Sequence, residues 1–216
     1  VVPPADGFLE ALRIATADAG ALLIFDEVIT GFRVARGGAQ ERYGVLPDLT
    51  VMGKVIGGGL PAAAYGGRRD LMERIAPAGD VYQAGTLSGN PLATAAALAT
   101  LNRLNGAAYE QLAATTTALA DGLRHAAASA PNHPVQVQSV PGLLTVFFSD
   151  RPVHNYTTAA ASDTDAYGAW CRGLLARGVY PPASQFEAWF PSLAHSGADI
   201  DRTVDAAGQA FAEIDA

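Results

Sequence analysis

An uninterrupted apolar run that ends in two acids constrains the fold of this chain more than any other feature. The run Ala-Leu-Leu-Ile-Phe occupies residues 21–25 and is followed directly by Asp26 and Glu27. A short, continuously apolar segment of this kind is typical of a strand buried inside a parallel sheet. Ligands of open α/β sheets bind outside the carboxyl ends of the strands. The sequence therefore predicts an α/β fold in which Asp26 lies at the ligand-binding edge.

The rest of the chain alternates between predicted strands and helices, which is the pattern of an α/β fold. Apolar runs predict further strands near residues 49–52, 62–65, 135–139 and 143–148. Helical spacing and stop signals predict helices from Phe8 onward and near residues 91–104, 109–128, 165–177 and 200–214. We expect a domain boundary at Asn105-Gly106, with one α/β domain in residues 1–105 and an α+β domain of modest size in residues 106–216.

Composition argues against several classes of partner. The 14 basic and 21 acidic residues give a net charge of -7 without a Lys/Arg run, so nucleic acid is not an expected partner. The four histidines share no ligand spacing with each other or with Cys171, so we expect no metal site. A lone cysteine suits the cytosol, and no apolar stretch is long enough to cross a membrane. The chain starts without methionine, which indicates a start inside a longer protein.

A second motif surrounds Lys54, which lies 28 residues (54 minus 26) after Asp26. Residues 52–61 read Met-Gly-Lys-Val-Ile-Gly-Gly-Gly-Leu-Pro, so the lysine has apolar and glycine neighbours. Burial there would lower its pKa from about 10.4 and free the amine to attack an aldehyde. The alternative is a lysine at a strand end that reaches into solvent. A phosphate-binding P-loop is excluded because Val55 follows the lysine where Ser or Thr is required.

A third motif precedes the predicted helix at residues 91–104. It reads Gly-Thr-Leu-Ser-Gly-Asn-Pro over residues 85–91 and includes Thr86. Hydroxyl groups and free N–H groups at a helix N-terminus can stabilise a phosphate. Simple capping of the helix by Ser88 or Asn90 would explain the same residues.

In this order and spacing, the three motifs resemble the class III (ornithine-aminotransferase-like) group of fold-type I pyridoxal-phosphate (PLP) enzymes. Within that group they are most similar to the glutamate-1-semialdehyde 2,1-aminomutases. The segments that carry this resemblance are residues 23–33, 44–48, 53–61 and 82–91. The resemblance extends over nearly the whole chain, which corresponds to roughly the second half of the family's length. It implies part of a large, mixed and mostly parallel sheet domain, followed by a small α+β domain.

The resemblance also implies the cofactor and the roles of individual residues. PLP would be the cofactor and would alternate with its pyridoxamine 5'-phosphate form. Lys54 would hold PLP as a Schiff base and move protons at the substrate, Asp26 would pair with the pyridine nitrogen, and Val28 would contact the cofactor. Thr86 would bind the cofactor phosphate of a neighbouring subunit, which implies a homodimer with shared active sites. Glu187 matches a glutamate that contacts the cofactor region and helps to gate the site.

The activity implied by the resemblance is the conversion of glutamate-1-semialdehyde to 5-aminolevulinate in tetrapyrrole (porphyrin) biosynthesis. Two alternatives stay open. A class III ω-aminotransferase would share Asp26 and Lys54 and would differ mainly in its substrate contacts. A catalytically incompetent fragment of either enzyme would lack the phosphate, ring and substrate contacts that the first half of the family supplies.

Overall fold

The chain folds into two compact units in the computed structural model, which describes residues 1–214. The first unit is Asp6–Tyr109, and the second joins Val1–Ala5 to the chain from Glu110 onward. The division between them falls inside a long helix, Gly106–Ala127.

The first unit contains a mixed sheet with the strand order β1-β2-β3. Strands β1 (Ile24–Glu27) and β2 (Leu49–Met52) pair in parallel, whereas β3 (Ala64–Gly67) is antiparallel to β2. The helices of this unit are α1 (Phe8–Asp18), α2 (Gly38–Tyr43), α3 (Arg69–Met72) and α4 (Pro91–Leu101), and a 3-10 turn spans Lys54–Gly57. Strand β2 lies at its predicted residues, and the predicted α/β class is confirmed.

Strand β1 is shorter and more exposed than its apolar run predicts. Pairing begins at Ile24 rather than Ala21, and 54% of Ile24 is exposed. Among the strands of residues 1–214, β1 pairs with β2 alone, so its other edge carries no strand. The prediction of a buried strand is therefore wrong for this chain. An apolar run shows that a strand is suited to burial. Whether the strand is buried depends on the segments that pack over it.

One buried carboxylate joins the amino ends of β1 and β2. Asp48 is 5% exposed and accepts hydrogen bonds from the N–H of Leu23 at 2.8 Å and from Arg13 and Arg68 at 2.9 Å each. The Leu23 N–H and the two guanidinium groups hold the pKa of Asp48 well below its ordinary value. Because Arg13 lies on α1 and Arg68 follows β3, Asp48 ties the helix to all three strands.

The second unit packs a β-hairpin with helices into an α+β arrangement. The hairpin consists of β4 (Val135–Val140) and β5 (Leu143–Phe148), and every residue of β5 is buried. The helices are α5 (Gly106–Ala127), α6 (Tyr156–Ala160), α7 (Thr164–Ala176) and α8 (Gly197–Ile214). The five elements predicted for this unit are all present. Strand β5 has its predicted ends, and the ends of the other four, β4, α5, α7 and α8, are shifted by one to three residues.

Aromatic side chains fill the centre of the second unit's core. Trp170 stacks on Phe211 with ring centroids 4.7 Å apart, and both side chains are fully buried. The rings of Phe148 and Trp189 lie 5.8 and 5.9 Å from Trp170. Full burial of an aromatic side chain contributes about 1.5–3 kcal/mol, so this cluster is a main source of the unit's stability.

Cys171 lies in the wall of this core. The side chain is 8% exposed, and burial raises the pKa of its thiol. Residues 1–214 contain no group of three or more His, Cys, Asp or Glu side chains placed to hold a metal ion. No helix in the same range is both long enough and apolar enough to cross a bilayer.

Candidate functional site

Two predicted site residues lie at the carboxyl ends of neighbouring strands. Asp26 is the third residue of β1, and Lys54 comes two residues after Met52, which ends β2. Because the two strands are parallel and directly paired, their carboxyl ends lie at the same edge of the sheet. The structure therefore brings Asp26 and Lys54 to the edge at which open α/β sheets bind ligands.

The carboxylate of Asp26 is exposed on an apolar face of the sheet. The strand register aligns Asp26 with Val51 and Val51 with Tyr65, so the three side chains share one face. Val51 is 37% exposed and Tyr65 is 42% exposed. The N–H of Val28 donates to Oδ1 of Asp26 at 3.0 Å and orients the carboxylate. A carboxylate held in this way can meet a cationic atom of a flat ligand that rests on the apolar face.

Lys54 follows β2 in an uncommon backbone conformation. Its φ is 47°, in the left-handed region, which costs a residue other than glycine about 1–2 kcal/mol. The turn that begins at Lys54 buries Ile56 and Gly57, whereas the lysine side chain is exposed. Of the two interpretations of Lys54, burial or a lysine at a strand end that reaches into solvent, the structure shows the second, because the turn directs its apolar residues inward in place of the lysine. Strain of this kind tends to mark functional positions.

Close packing fixes the Lys54 turn at both ends. A Cβ atom at Gly53 would lie 3.3 Å from Cγ1 of Val28. A Cβ atom at Gly58, which ends the turn with φ of 58°, would lie 2.7 Å from the carbonyl oxygen of Ala96 in α4. The second distance excludes any side chain, so glycine is required where the turn meets the helix. Val28, a predicted cofactor contact, thus packs beside the residue that precedes Lys54.

Thr86 lies in an exposed turn that leads into α4. Asn90 caps this helix, since its Oδ1 accepts the N–H groups of Leu92 at 3.0 Å and Ala93 at 3.1 Å. The prediction of free N–H groups for a phosphate is therefore wrong at these two positions, because Asn90 already occupies them. The exposed hydroxyl of Thr86 is the part of the motif that a ligand can reach.

Glu187 belongs to the second unit, whereas Asp26 and Lys54 belong to the first. Its side chain is exposed on a turn that lies between the buried residues Gln185 and Trp189. Gln185 is 1% exposed and accepts a backbone N–H of β5 at 3.0 Å. The N–H of Trp189 donates to the carbonyl oxygen of a β5 residue at 2.7 Å. These bonds give Glu187 a fixed backbone position within its unit.

Glu27 is a residue of this site that the sequence motifs do not single out. It is 2% exposed, and its carboxylate accepts hydrogen bonds from Thr30, Ala39 and Gln40. It points to the opposite face of the sheet from its neighbour Asp26. The available signal was the Gly37-Gly38 pair before a polar segment, since paired glycines often mark a close approach of the backbone to another group.

Residues 1–209 of the chain match the aminotransferase class-III family. The chain is 57% identical over 215 residues to a curated protein named glutamate-1-semialdehyde 2,1-aminomutase from Thermomicrobium roseum. That alignment covers 99% of this chain and 50% of the relative. The chain spans about half the length of the curated relatives it matches.

Solved structures share the fold over the same range. An omega-transaminase from Sphaerobacter thermophilus superposes with a TM-score of 0.85 at 31% identity, over 97% of this chain and 48% of that protein. A glutamate-1-semialdehyde-aminomutase variant from Pseudomonas aeruginosa PAO1, solved in complex with PMP, gives a TM-score of 0.85 at 26% identity. The second match covers 98% of this chain and 49% of that protein. The resemblance to class III enzymes, first seen in the motifs, is confirmed in both sequence and fold.

Proposed function

Because this chain belongs to the class III aminotransferase family, we propose that it forms the cofactor-binding part of a glutamate-1-semialdehyde 2,1-aminomutase. The proposal rests above all on the pairing of Asp26 and Lys54 at one edge of the sheet. Identity of 57% to a curated aminomutase supports this substrate over those of other class III enzymes. The reaction would isomerise glutamate-1-semialdehyde to 5-aminolevulinate, a precursor of tetrapyrroles.

The residues at this edge fit PLP as the cofactor. Asp26 offers an oriented carboxylate to a ring nitrogen, and the exposed side chains of Val51 and Tyr65 offer an apolar surface beside it. Lys54 offers the primary amine to which an aldehyde can be bonded. It is the only lysine among the 216 residues, so attachment through a lysine has a single candidate.

Each of these residues would have a distinct chemical task. Bound PLP supplies an electron sink that stabilises negative charge at a substrate carbon. Asp26 would keep a proton on the ring nitrogen, because a nearby carboxylate favours the cationic form of its partner. Lys54 would take a proton from one substrate carbon and return it to another. Val28 would pack beside the cofactor ring, where its contact with Gly53 already fixes it.

An aminomutase moves an amino group and an oxo group between two carbons of one molecule. The overall change is an isomerisation, so it needs neither an external amino donor nor net oxidation or reduction. One amine that accepts and returns protons can therefore serve both carbons. Glu187 would contact the cofactor region and gate access to it, a role supported by its exposed carboxylate on a fixed turn.

We further propose a homodimer with shared active sites, in which Thr86 binds the cofactor phosphate of the neighbouring subunit. The helix that follows Thr86 supports this assembly. Helix α4 is apolar on all sides, yet Leu92 is 72% exposed and Leu98 is 60% exposed. Helices of this composition are normally buried, so a subunit contact beside Thr86 would cover the apolar surface.

We place the enzyme in the cytosol. The single cysteine of these 216 residues, Cys171, is an unpaired thiol in the core, so this part of the fold needs no oxidising compartment to form a disulfide.

A class III ω-aminotransferase is the second candidate. It is favoured by the likeness to the omega-transaminase structure, which is higher in identity than the likeness to the aminomutase structure, at 31% against 26%. Asp26, Val28 and Lys54 would keep the same tasks in such an enzyme. The two candidates differ in their need for an external amino donor.

Absorbance spectroscopy with borohydride reduction tests the cofactor site. The chain is mixed with PLP, and Lys54→Ala and Lys54→Arg are treated in parallel. We expect a reducible absorbance band in the parent chain, with the reduced cofactor located on Lys54 by peptide mass spectrometry. Only the amino terminus could compete for labelling, because the sequence has no other lysine. An identical band in both variants, or no band in the parent chain, would refute the proposed site.

An assay with and without an amino donor then separates the two candidate activities. Formation of 5-aminolevulinate from glutamate-1-semialdehyde alone supports the aminomutase. Formation of an amine only when a second amino acid is supplied supports the ω-aminotransferase. In either case, Lys54→Arg should lose the activity, since its guanidinium keeps the charge without a primary amine that can bond to an aldehyde.

A further inference from the structure

Two adjacent acids at the end of β1 have opposite environments. The carboxylate of Asp26 is exposed, whereas that of Glu27 is 2% exposed on the other face of the sheet. A buried carboxylate is costly unless hydrogen bonds compensate for the lost water. The groups that donate hydrogen bonds to Glu27 therefore show which part of the structure the buried carboxylate stabilises.

The carboxylate of Glu27 binds the chain that follows it. Oε2 accepts the hydroxyl of Thr30 at 2.7 Å and the N–H of Ala39 at 2.7 Å. Oε1 accepts the backbone N–H of Gln40 at 3.0 Å and its side-chain amide at 3.2 Å. One side chain thus closes the segment 28–40 into a loop whose two ends are both bonded to the last residue of β1.

Two glycines make this arrangement sterically feasible. A Cβ atom at Gly38 would lie 2.2 Å from Oε2 of Glu27, and the φ of Gly38 is 70°. A Cβ atom at Gly31 would lie 2.7 Å from the carbonyl oxygen of Glu27, which accepts the N–H of Gly31 at 2.9 Å. A side chain at Gly31 would therefore displace the backbone, and a side chain at Gly38 would strain its left-handed backbone and displace the Glu27 carboxylate. The loop is therefore built around Glu27.

The loop begins with residues of the proposed site. Val28 follows Glu27 directly, donates its N–H to Asp26 and packs against Gly53, next to Lys54. Fixing Glu27 from behind the sheet thus restrains Asp26 and Val28 in front of it. The far side of the loop has its own restraint, since the hydroxyl of Tyr109 donates to the carbonyl oxygen of Phe32 at 3.0 Å.

We propose that Glu27 is a positioning residue that sets the Asp26–Val28 turn through the closed loop behind it. The role in the active site rests on the proposed function, whereas the mechanical role rests only on the contacts described above. Glu27 touches neither substrate nor cofactor in this arrangement. Its effect on Asp26 is transmitted through the backbone of residues 26–28.

The variant Glu27→Gln tests the mechanical role without cofactor. Whichever way the amide is turned, its NH₂ group faces a backbone N–H, either that of Ala39 or that of Gln40, and one bond is lost. We expect hydrogen exchange at Ala39, Gln40 and Val28 to accelerate about tenfold or more, since bonds to a charged acceptor are strong ones. Exchange at the β2–β3 pairs should stay unchanged.

Two control variants separate positioning from general destabilisation. Glu41→Gln removes the same charge just after the loop, where the exposed carboxylate accepts the Gly37 N–H at 2.6 Å. This variant should leave exchange at Val28 unchanged. Asp48→Asn removes a buried carboxylate at the other end of the sheet and should accelerate exchange at the β2–β3 pairs. If Glu27→Gln leaves Val28 unchanged, or behaves as Asp48→Asn does, the positioning role is refuted.

The cofactor-bound protein provides a second readout. We expect the Lys54-dependent absorbance band to persist in Glu27→Gln with a shifted pH midpoint, because a displaced Asp26 would hold the ring nitrogen less well. An unshifted midpoint would overturn the link between Glu27 and Asp26. Absence of the band in the parent chain would count against the proposed function, and the exchange experiment would still decide the role of Glu27.

Discussion

Two carboxylates are buried at opposite ends of the first unit's sheet, and different groups compensate them. Glu27, at the carboxyl end, is held by N–H and O–H groups of its own loop. Asp48, at the amino end, is held by a backbone N–H and by the cationic side chains of Arg13 and Arg68. The N–H and O–H groups that bind Glu27 hold the loop near the candidate site. The ion pairs of Asp48 instead join separate elements of the unit.

Asp48→Asn should destabilise the first unit in a manner that depends on pH. The folded-state pKa of Asp48 lies below its ordinary value of 3.8, so its stabilisation is fully present above that pH and is lost as pH falls through the folded-state pKa. We expect the variant to be less stable than the parent chain at pH 7 and the difference to shrink in acid. Amide exchange in β2 should be the measurement, because Trp170 and Trp189, the only tryptophans, both belong to the second unit.

Glu73→Gln is the matched control for this prediction, because it lies in the same unit. Glu73 pairs with Arg69 at 3.7 Å, but its side chain is 63% exposed. Exposed pairs contribute about 0–1 kcal/mol, so this variant should change stability little. A penalty for Asp48→Asn that stayed constant well below pH 3.8 would contradict the assignment of the lowered pKa.

Cys171 reports on the opening of the second unit. Burial raises the pKa of its thiol and limits access to it, so iodoacetamide should label the native chain slowly. Labelling should accelerate with urea in parallel with tryptophan fluorescence. Phe211→Ala should lower the stability of the unit by about 3–5 kcal/mol and accelerate labelling further. Rapid labelling of the parent chain without urea would show that the core opens locally around the thiol.

At the scale of elements, α4 depends on its cap. Asn90→Ala removes the acceptor for the N–H groups of Leu92 and Ala93 and should cost about 1 kcal/mol. Exchange at these two amides should accelerate about fivefold, the factor that corresponds to 1 kcal/mol. Ser88→Ala is the control, since Asn90 and not Ser88 caps the helix. Equal effects of the two substitutions would argue against Asn90 as the dominant cap.

Elements with a local signal could be predicted from the sequence. Strand β5 lies at its predicted residues because its apolar run, which is interrupted by Thr145, is buried throughout. Helix α4 begins at Pro91 as predicted, since proline suits a first helical position and Asn90 supplies the cap. Helix α2 gave no such signal. It has only six residues, and its first N–H groups are satisfied by Glu27, which lies more than ten residues earlier in the chain.

The candidate site was predictable in its residue types and not in its environment. The apolar runs before Asp26 and Lys54 predicted that each residue follows a strand, and the two strands pair in parallel. The sequence left open whether Lys54 is buried or exposed, because this depends on the left-handed backbone that directs Ile56 inward in its place. Burial of Glu27 was equally hidden, since its partners become neighbours only when the loop closes.

At the scale of the whole molecule, α4 presents an apolar surface that residues 1–214 leave exposed. Leu92 and Leu98 are among its most exposed large side chains, at 72% and 60%. The net charge of -7 keeps the molecules apart in general, so association would require a specific apolar contact. The proposed homodimer supplies such a contact beside Thr86.

Leu98→Asp should therefore weaken self-association of the chain. The side chain is exposed, so the substitution should leave stability within about 0.5 kcal/mol of the parent. In a dimer that buries this surface, the new carboxylate would lose water without a partner, and association should weaken by about a hundredfold. Sedimentation velocity over a range of concentrations measures this change. Leu175→Asp, at a 45% exposed position of α7, is the matched control and should leave association unchanged. A parent chain that is monomeric at every concentration, or a Leu98→Asp variant that associates as the parent does, would refute a contact between subunits through α4.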